Sequence, residues 1–141
     1  MKFLIIHGPN LSVLGRRKPD IYGTATLAQI NAAIKTKAAE LKCRVRVFQS
    51  NSEGGIIDII EKNSGWADAI IINPGAYTHY SYAIRDAIEA AGLPAAEVHM
   101  SDISKREPFR RKSVIKPVCE AQFKGLGLNS YIKAMLYFAG K

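Results

Sequence analysis

The chain has 141 residues, 48% of them hydrophobic and 23% charged, and a formal net charge of +8. That length and balance predict one globular domain over 1–141 with a sizeable core, and no apolar run approaches the ~18 residues of a membrane span. The positive charge points to an anionic partner, either a small acid or a nucleic acid.

The opening run Met1-Lys2-Phe3-Leu4-Ile5-Ile6 is cut by His7-Gly8-Pro9-Asn10 before a signal-peptide core could form, so a cytoplasmic protein is expected. Lys2 to Ile6 is short, apolar and β-branched, which predicts a buried strand. His7 to Gly23 then reads as a 17-residue loop. Loops joining a strand to a helix usually run to about 2–6 residues, so one of this length points to function. Gly8-Pro9 and Gly15 mark its turns, Arg16, Arg17 and Lys18 give it positive charge, and Asn10 and Tyr22 give it hydrogen-bonding groups.

Thr26 to Lys42 carries a helical stripe of Leu27, Ile30, Ala33, Ile34, Ala38 and Leu41. Arg44 to Phe48 alternates like a strand with one wetter face. Gln49 to Gly55 is a polar loop in which Ser52 or Glu53 opens the next helix, carried by Ile56 to Asn63. Ala67 to Ile72 is almost continuously apolar, as a parallel strand covered on both faces should be. A polar loop, Asn73 to His79, leads to a helix over Ser81 to Ala91 that Gly92 ends. Pro94 to His99 reads as a fourth strand and Met100 to Ser113 as a charged loop. Val118, Ala121 and Phe123 suggest a fifth strand near Gly125-Leu126-Gly127, before a closing helix over Leu128 to Phe138. Cys43 and Cys119 lack metal-ligand spacing and are expected to be reduced thiols among apolar neighbours.

Strands alternating with helices predict right-handed crossovers and a doubly wound parallel α/β sheet. In such a sheet the loops leaving the carboxyl ends of the strands gather on one edge, where ligands bind. Those loops carry Asn10, Arg17 and Tyr22, then Asn73 and His79, then His99, Ser101 and Arg110. Asp86, seven residues past His79, is expected to face nearly the same way, toward the site or a neighbouring subunit. Glu97 and His99, two apart on a strand, share a face.

The first strand is followed by no G-x-G-x-x-G, and there is neither a Walker loop nor a G-x-S-x-G elbow. Three scattered histidines make a zinc site a poor fit, so neither metal nor cofactor is expected. What remains is acid/base work on an anionic substrate by Tyr, Arg and His. A phenol ordinarily ionises near pH 10, so half-ionising one at pH 7 takes about 4 kcal/mol. A close, partly desolvated guanidinium can supply much of that without itself taking the proton. Imidazole, ordinarily near 6.5, suits the opposite role because it can donate a proton and recover it at neutral pH.

The runs GPNLSVLGRRKPDIYG, INPGAYTHYSYAIRDA and EVHMSDISKREPFR lie in order and in register over nearly the full chain. They closely resemble the type II 3-dehydroquinate dehydratases, the non-Schiff-base enzymes of shikimate or quinate metabolism. The resemblance implies a flavodoxin-like five-stranded parallel sheet in three α/β/α layers. It also implies anti elimination of water from 3-dehydroquinate to 3-dehydroshikimate through an enolate, by a dodecamer of four trimers.

Residue by residue, the resemblance makes Tyr22 the base that removes a C2 proton, Arg17 its activator and His99 the general acid for the departing hydroxyl. Asn10 would stabilise the enolate through an ordered water. Asn73, His79, Ser101 and Arg110 would hold substrate hydroxyls and carboxylate, with Met100 and Ser101 adding backbone N–H groups. Glu97 would orient His99, and Asp86 would reach substrate in the adjoining subunit of a trimer. Arg106, in the REPFR run, is given no catalytic role.

Three departures from the family pattern stand out. Asp102 follows Ser101 where many members have Asn, Ser52 stands where many have His, and the Arg16-Arg17 pair leaves open which arginine acts. Two other readings compete with this one. A nucleic-acid-binding domain would use Arg106, Arg110, Arg111 and Lys112, but these lack interleaved aromatic platforms or a reader helix. A flavodoxin-like anion-binding module without catalysis would have decayed at the Tyr, Arg or His positions, and all are present.

Overall fold

Strands β1 (Lys2–His7), β2 (Arg44–Gln49), β3 (Ala69–Asn73), β4 (Ala95–His99) and β5 (Ala121–Lys124) form one sheet in the computed structural model, which describes residues 1–16 and 18–141. Their order is β2-β1-β3-β4-β5 and every pairing is parallel. This is the flavodoxin-like order, in which the chain changes direction across the sheet between β1 and β3. The helices are α1 (Pro19–Tyr22), α2 (Leu27–Glu40), α3 (Glu53–Asn63), α4 (Tyr82–Ala91), α5 (Pro108–Arg111) and α6 (Asn129–Ala139).

Alternation along the central strands assigns the layers. Phe3, Ile5, Ile71, Ala96 and Val98 pack with Ile30 and Ile34 of α2 and with Tyr131, Met135 and Phe138 of α6. Leu4, Ile6, Ile70, Ile72 and Ala95 pack on the other side with Ile56 and Ile60 of α3 and Ile84 and Ile88 of α4. Each of the Leu, Ile, Val, Phe and Met side chains contributes roughly 1.5–3 kcal/mol on burial, so both faces of β1 and β3 are committed to the core. Side-chain oxygens start the long crossover helices: Thr26 and Gln29 form a capping box on α2, and Ser52 and Ser81 cap α3 and α4. Gly92 ends α4 in the left-handed conformation, at φ 66°.

Local hydrogen bonding explains where the structure departs from the sequence reading. The stretch expected to be one long loop after β1 contains a 3-10 turn at Leu11–Val13 and the helix α1, with Leu11 and Leu14 buried. Pro19 opens α1 and Tyr22 ends it, so Tyr22 is presented by a helical turn rather than by open loop. Strand β3 begins two residues later than expected, because the N–H groups of Trp66 and Ala67 both bond to the Asn63 carbonyl.

The fifth strand lies upstream of the expected glycines. Gly125 and Gly127 take positive φ, and their N–H groups bond to the carbonyls of Ser101 and Met100. They therefore brace the segment after β4 instead of extending β5. The charged stretch after β4 also folds locally, into a 3-10 turn at Ile103–Lys105 and α5.

The sheet's switch point is drawn tight by Gly8. Its N–H donates to the Asn73 carbonyl at 2.8 Å, and a Cβ there would sit 2.7 Å from the Pro74 backbone. Glycine lets the chain segments after β1 and β3 touch.

Candidate active site

The carboxyl ends of β1, β3 and β4 place His7, Asn73 and His99 side by side along one edge of the sheet. A cleft opens above them, lined by residues from the segments that follow β1, β3 and β4. Among the residues expected in the site, Asn10, Tyr22, Asn73, His79, His99, Met100, Ser101 and Arg110 all line it. Arg106 lines it too. Arg17 lies outside the described residues.

Arg106 is the residue that sequence reasoning undervalued. Its Nη1 donates to the Tyr22 hydroxyl at 3.0 Å, and its guanidinium carbon lies 5.3 Å from the centre of the same ring. The same nitrogen is 3.4 Å from Ser101 Oγ. A planar cation thus holds the phenolic oxygen and stacks against its ring. The only signal for this in the sequence was the position of Arg106 within REPFR.

In the same cleft, His99 Nε2 is 2.6 Å from Glu97 Oε1, and Glu97 is fully buried. Its carboxylate is heavily supplied with donors. Thr78 Oγ1 and Ser113 Oγ donate to Oε1, and Gln122 Nε2 on β5 donates to Oε2 at 3.0 Å. Ser113 in turn accepts the N–H groups of Ile115 and Lys116 at 3.1 and 3.0 Å, so its single proton is directed at Glu97. Burial pushes the Glu97 carboxyl up. The His99 hydrogen bond and charge, with Thr78 and Ser113, outweigh this and hold it below the usual carboxylate value. Thr78, Ser113 and Gln122 come from three separate segments, and no spacing in the sequence announces them.

His79 closes another wall. Its Nδ1 donates to the Lys112 carbonyl at 2.7 Å, which leaves Nε2 as an acceptor in the neutral ring. Burial lowers its proton affinity, against the Lys112 carbonyl, which raises it, and Arg110 adds to the lowering. Arg110 is oriented by Glu107, 2.5 Å from its Nε, and by stacking at 4.7 Å over Phe109.

Asn10 takes a left-handed conformation, φ 67°, which asparagine tolerates better than most residues. Its N–H donates to Asn51 Oδ1 at 3.2 Å, and Gln49 Nε2 reaches both that oxygen and the Gly8 carbonyl. The polar loop after β2 therefore props the turn after β1. Ser52 in the same loop caps α3 and does not line the cleft.

Asp86 is arranged differently from the sequence reading. His79 ends a 3-10 turn and Ser81 caps α4 after it, so His79 and Asp86 do not share a helix face. Asp86 is exposed on α4 and is not among the residues lining this chain's cleft. Asp102, adjacent to Ser101, turns to its own 3-10 turn, accepting from Ser104 N–H at 3.1 Å and Ser104 Oγ at 2.5 Å. It too lies outside the lining. Among the described residues no three His, Cys, Asp or Glu side chains are grouped to hold a metal, and no helix is long and apolar enough to cross a membrane. Both cysteines are free thiols, and burial pushes that of Cys119 up to about 12.

A flavodoxin-like sheet whose switch-point cleft sets a guanidinium-held phenol against a carboxylate-backed imidazole defines an α/β protein equipped for proton transfer on a small ligand. The dehydroquinase class II family model matches residues 1–139, and the chain belongs to that family. It is 53% identical to a 3-dehydroquinate dehydratase of Dictyoglomus turgidum, covering 98% of both chains. With a protein of that name from Geotalea daltonii it shares 54% identity over 94% of this chain and 92% of the relative. A crystal structure of a type II dehydroquinase from Butyrivibrio crossotus superposes with a TM-score of 0.96 at 44% identity, covering 100% of this chain and 98% of that one.

Proposed function

We propose that the chain is a hydro-lyase, one catalytic domain over 1–141, that converts 3-dehydroquinate to 3-dehydroshikimate and water in shikimate or quinate metabolism. The observation that carries this reading is the opening of two acid/base groups on one cleft. Tyr22 lies under the Arg106 guanidinium, and His99 is bound to the buried Glu97.

In this reading Tyr22, as the phenolate, takes the C2 proton beside the ketone, and the electron pair moves onto the carbonyl oxygen as an enolate. Arg106 stabilises the phenolate, and Arg17 is assigned to the same task. Asn10, held from below by Asn51, stabilises the enolate through an ordered water. The enolate then expels the β-hydroxyl, which leaves as water on receiving a proton from His99. Because Glu97 occupies Nε2, the other ring nitrogen, Nδ1, performs that transfer. Base and acid lining one cleft can serve the two ends of a single elimination.

Arg110 carries the substrate carboxylate together with the N–H groups of Met100 and Ser101, and Asn73, His79 and Ser101 Oγ take hydroxyls. The enzyme works in the cytoplasm as a dodecamer of four trimers, in which Asp86 of one subunit reaches the cleft of the next. Its exposure on α4 supports that direction. Sedimentation at a mass other than twelve times the 15.5 kDa chain would count against the assembly.

The test is to add 3-dehydroquinate to the purified protein and follow the absorbance of the conjugated enone. Turnover is expected in the native protein and is expected to survive borohydride treatment with substrate, since no lysine adduct forms. Tyr22→Phe is expected to fold normally and to lose turnover. A native protein that leaves the absorbance flat sinks the assignment, and near-native turnover in Tyr22→Phe removes Tyr22 from the mechanism.

A further inference from the structure

Behind one wall of the cleft runs a loop that takes no part in the elimination. Gly125, Leu126 and Gly127 lead from β5 toward α6, and none of them lines the cleft. The Gly127 N–H donates to the Met100 carbonyl at 3.0 Å, and the Gly125 N–H donates to the Ser101 carbonyl at 3.1 Å. Between them the Leu126 N–H donates to Ser130 Oγ at 3.2 Å, and Ser130 is fully buried on α6. Both glycines take positive φ, 79° and 57°, and a Cβ on Gly125 would stand 3.1 Å from Asp102 Cβ.

These bonds bracket Ser101. The carbonyl before it and its own carbonyl are both tied, so neither of its peptide units is free to turn. In a trans peptide the C=O and the following N–H point in opposite directions, so a Met100 carbonyl turned to Gly127 turns the Ser101 N–H away from the loop. Ser101 is buried and lines the cleft, and its N–H donates to no acceptor among the described residues. A buried N–H without an acceptor is unfavourable, so one held in that state is a donor kept for a ligand. Arg106 and Arg110 line the same cleft, and the ligand group that suits such a donor beside guanidinium groups is an anion.

We propose that Gly125, Gly127 and Ser130 are positioning residues that pin both peptide units of Ser101 and so aim its N–H at the substrate carboxylate. The proposal rests on that carboxylate being held by Arg110 and the backbone N–H groups, as assigned above. A guanidinium attracts an anion from many directions, whereas a fixed N–H selects one, and fixing it before binding removes the cost of ordering it afterwards. The carboxylate carries the same charge in substrate and product. The brace therefore acts on the binding of both and shows in KM rather than in kcat.

The experiment combines steady-state kinetics on 3-dehydroquinate with competitive inhibition by two ligands, the product 3-dehydroshikimate and the same molecule with its carboxylate reduced to a hydroxymethyl group. Gly125→Ala drives a Cβ against Asp102. It is expected to raise KM and the product Ki about tenfold, the scale of one hydrogen bond to a charged group, with kcat within about threefold of native. The Ki of the hydroxymethyl analogue is expected to stay within about twofold, because it has no charge for the N–H to meet. Ser130→Ala withdraws the acceptor of the Leu126 N–H without touching either glycine, and is expected to move the same two constants in the same direction. Gly92→Ala is the control. Gly92 ends α4 at φ 66° with open space around it, so alanine there meets similar backbone strain away from the cleft and is expected to lower the melting temperature with KM unchanged.

Equal increases for product and analogue in Gly125→Ala mean a general loosening of the cleft and overturn the proposal, as does an unchanged KM in that variant. A KM increase in Gly92→Ala as large as that in Gly125→Ala overturns it too, since strain anywhere would then suffice. Should Gly125→Ala not fold, Ser130→Ala carries the kinetic test. The aim of the N–H is read without turnover from the backbone amide resonance of Ser101 in the native protein. It is expected to move downfield when 3-dehydroshikimate is added and not with the hydroxymethyl analogue, and an amide that answers both ligands alike overturns the proposal. A native protein that does not turn over 3-dehydroquinate fails the assignment of function by itself. The Ser101 resonance is read in either case and decides whether the braced N–H meets a carboxylate.

Discussion

Because His7 is buried as a neutral ring, the stability of the protein should depend on pH over a window set by one residue. Unfolded, the imidazole titrates near 6.5; folded, burial lowers it to about 4. Between those values the unfolded chain holds a proton that the native protein does not, so stability rises with pH across the window. The effect is absent above about 6.5, grows as the pH falls, and levels off below about 4, where the native ring also protonates. At about 1.36 kcal/mol per unit the full span is about 3 kcal/mol, of which about 2 kcal/mol is lost by pH 5.

The perturbation is His7→Gln, which keeps an acceptor for the Tyr131 hydroxyl bonded to His7 Nδ1 but cannot titrate. The assay is urea unfolding of both proteins at several pH values from 8 to 5, at one protein concentration. His79 is also held low by burial and contributes with the same sign, but it is common to both proteins and drops out of the difference. Glu97 is held below its ordinary value, so its contribution is present above about 4.5 and is lost only as the pH falls further. That loss falls below the assayed range of pH 8 to 5. The gap between native protein and variant should therefore narrow by about 2 kcal/mol on going from pH 8 to pH 5. Parallel curves would mean that His7 is no harder to protonate folded than unfolded, and the account of a ring buried in its neutral form would fail.

Other expectations follow from particular contacts. Arg106→Leu removes the cation held on Tyr22 and should lower kcat on the order of 10²-fold, with little change in thermal stability; a kcat within a few-fold of native would show that Arg106 is not needed on the phenol. Glu97→Gln sets an amide nitrogen among the donors of Thr78, Ser113, Gln122 and His99. It should cost about 1–3 kcal/mol in unfolding free energy as well as activity, and an unaffected melt would contradict the hydrogen-bond assignment. Gly8→Ala forces a Cβ to 2.7 Å from the Pro74 backbone. It should destabilise by about 1–3 kcal/mol, read by urea unfolding, because backbone cannot yield as a side-chain tip can.

What could be read from the sequence divides along a physical line. Elements defined by period and ending were legible. The apolar run before Asn73 and the strand before His99 put both residues at strand ends, and a parallel sheet then brings those ends together whatever the intervening helices do. Asp86 failed in its geometric premise for a local reason, since a helical face was extended through His79 across a cap that Ser81 supplies. The fifth strand holds Ala121 and Phe123 as expected but stops short of Gly125 and Gly127, whose positive φ lies outside strand geometry.

The contacts that tune the site were illegible for a different reason. Arg106 and Tyr22 are 84 positions apart, and His7 and Tyr131 are 124 apart. A lone arginine in a charged loop and a lone tyrosine in an apolar helix each carry a bland reading that only the fold can displace. In Tyr131 the ring satisfies the core pattern of α6 and conceals the hydroxyl, which is why helical periodicity placed the side chain correctly and said nothing of its hydrogen bonds. The same holds for His7, which continues the buried pattern of β1 by one residue while its two nitrogens face two different helices. Burial pattern locates a side chain, but the role of a buried polar group depends on its partners. At the end of β1 those partners come from α2 and α6 at once, so the role of His7 is a property of the assembled edge.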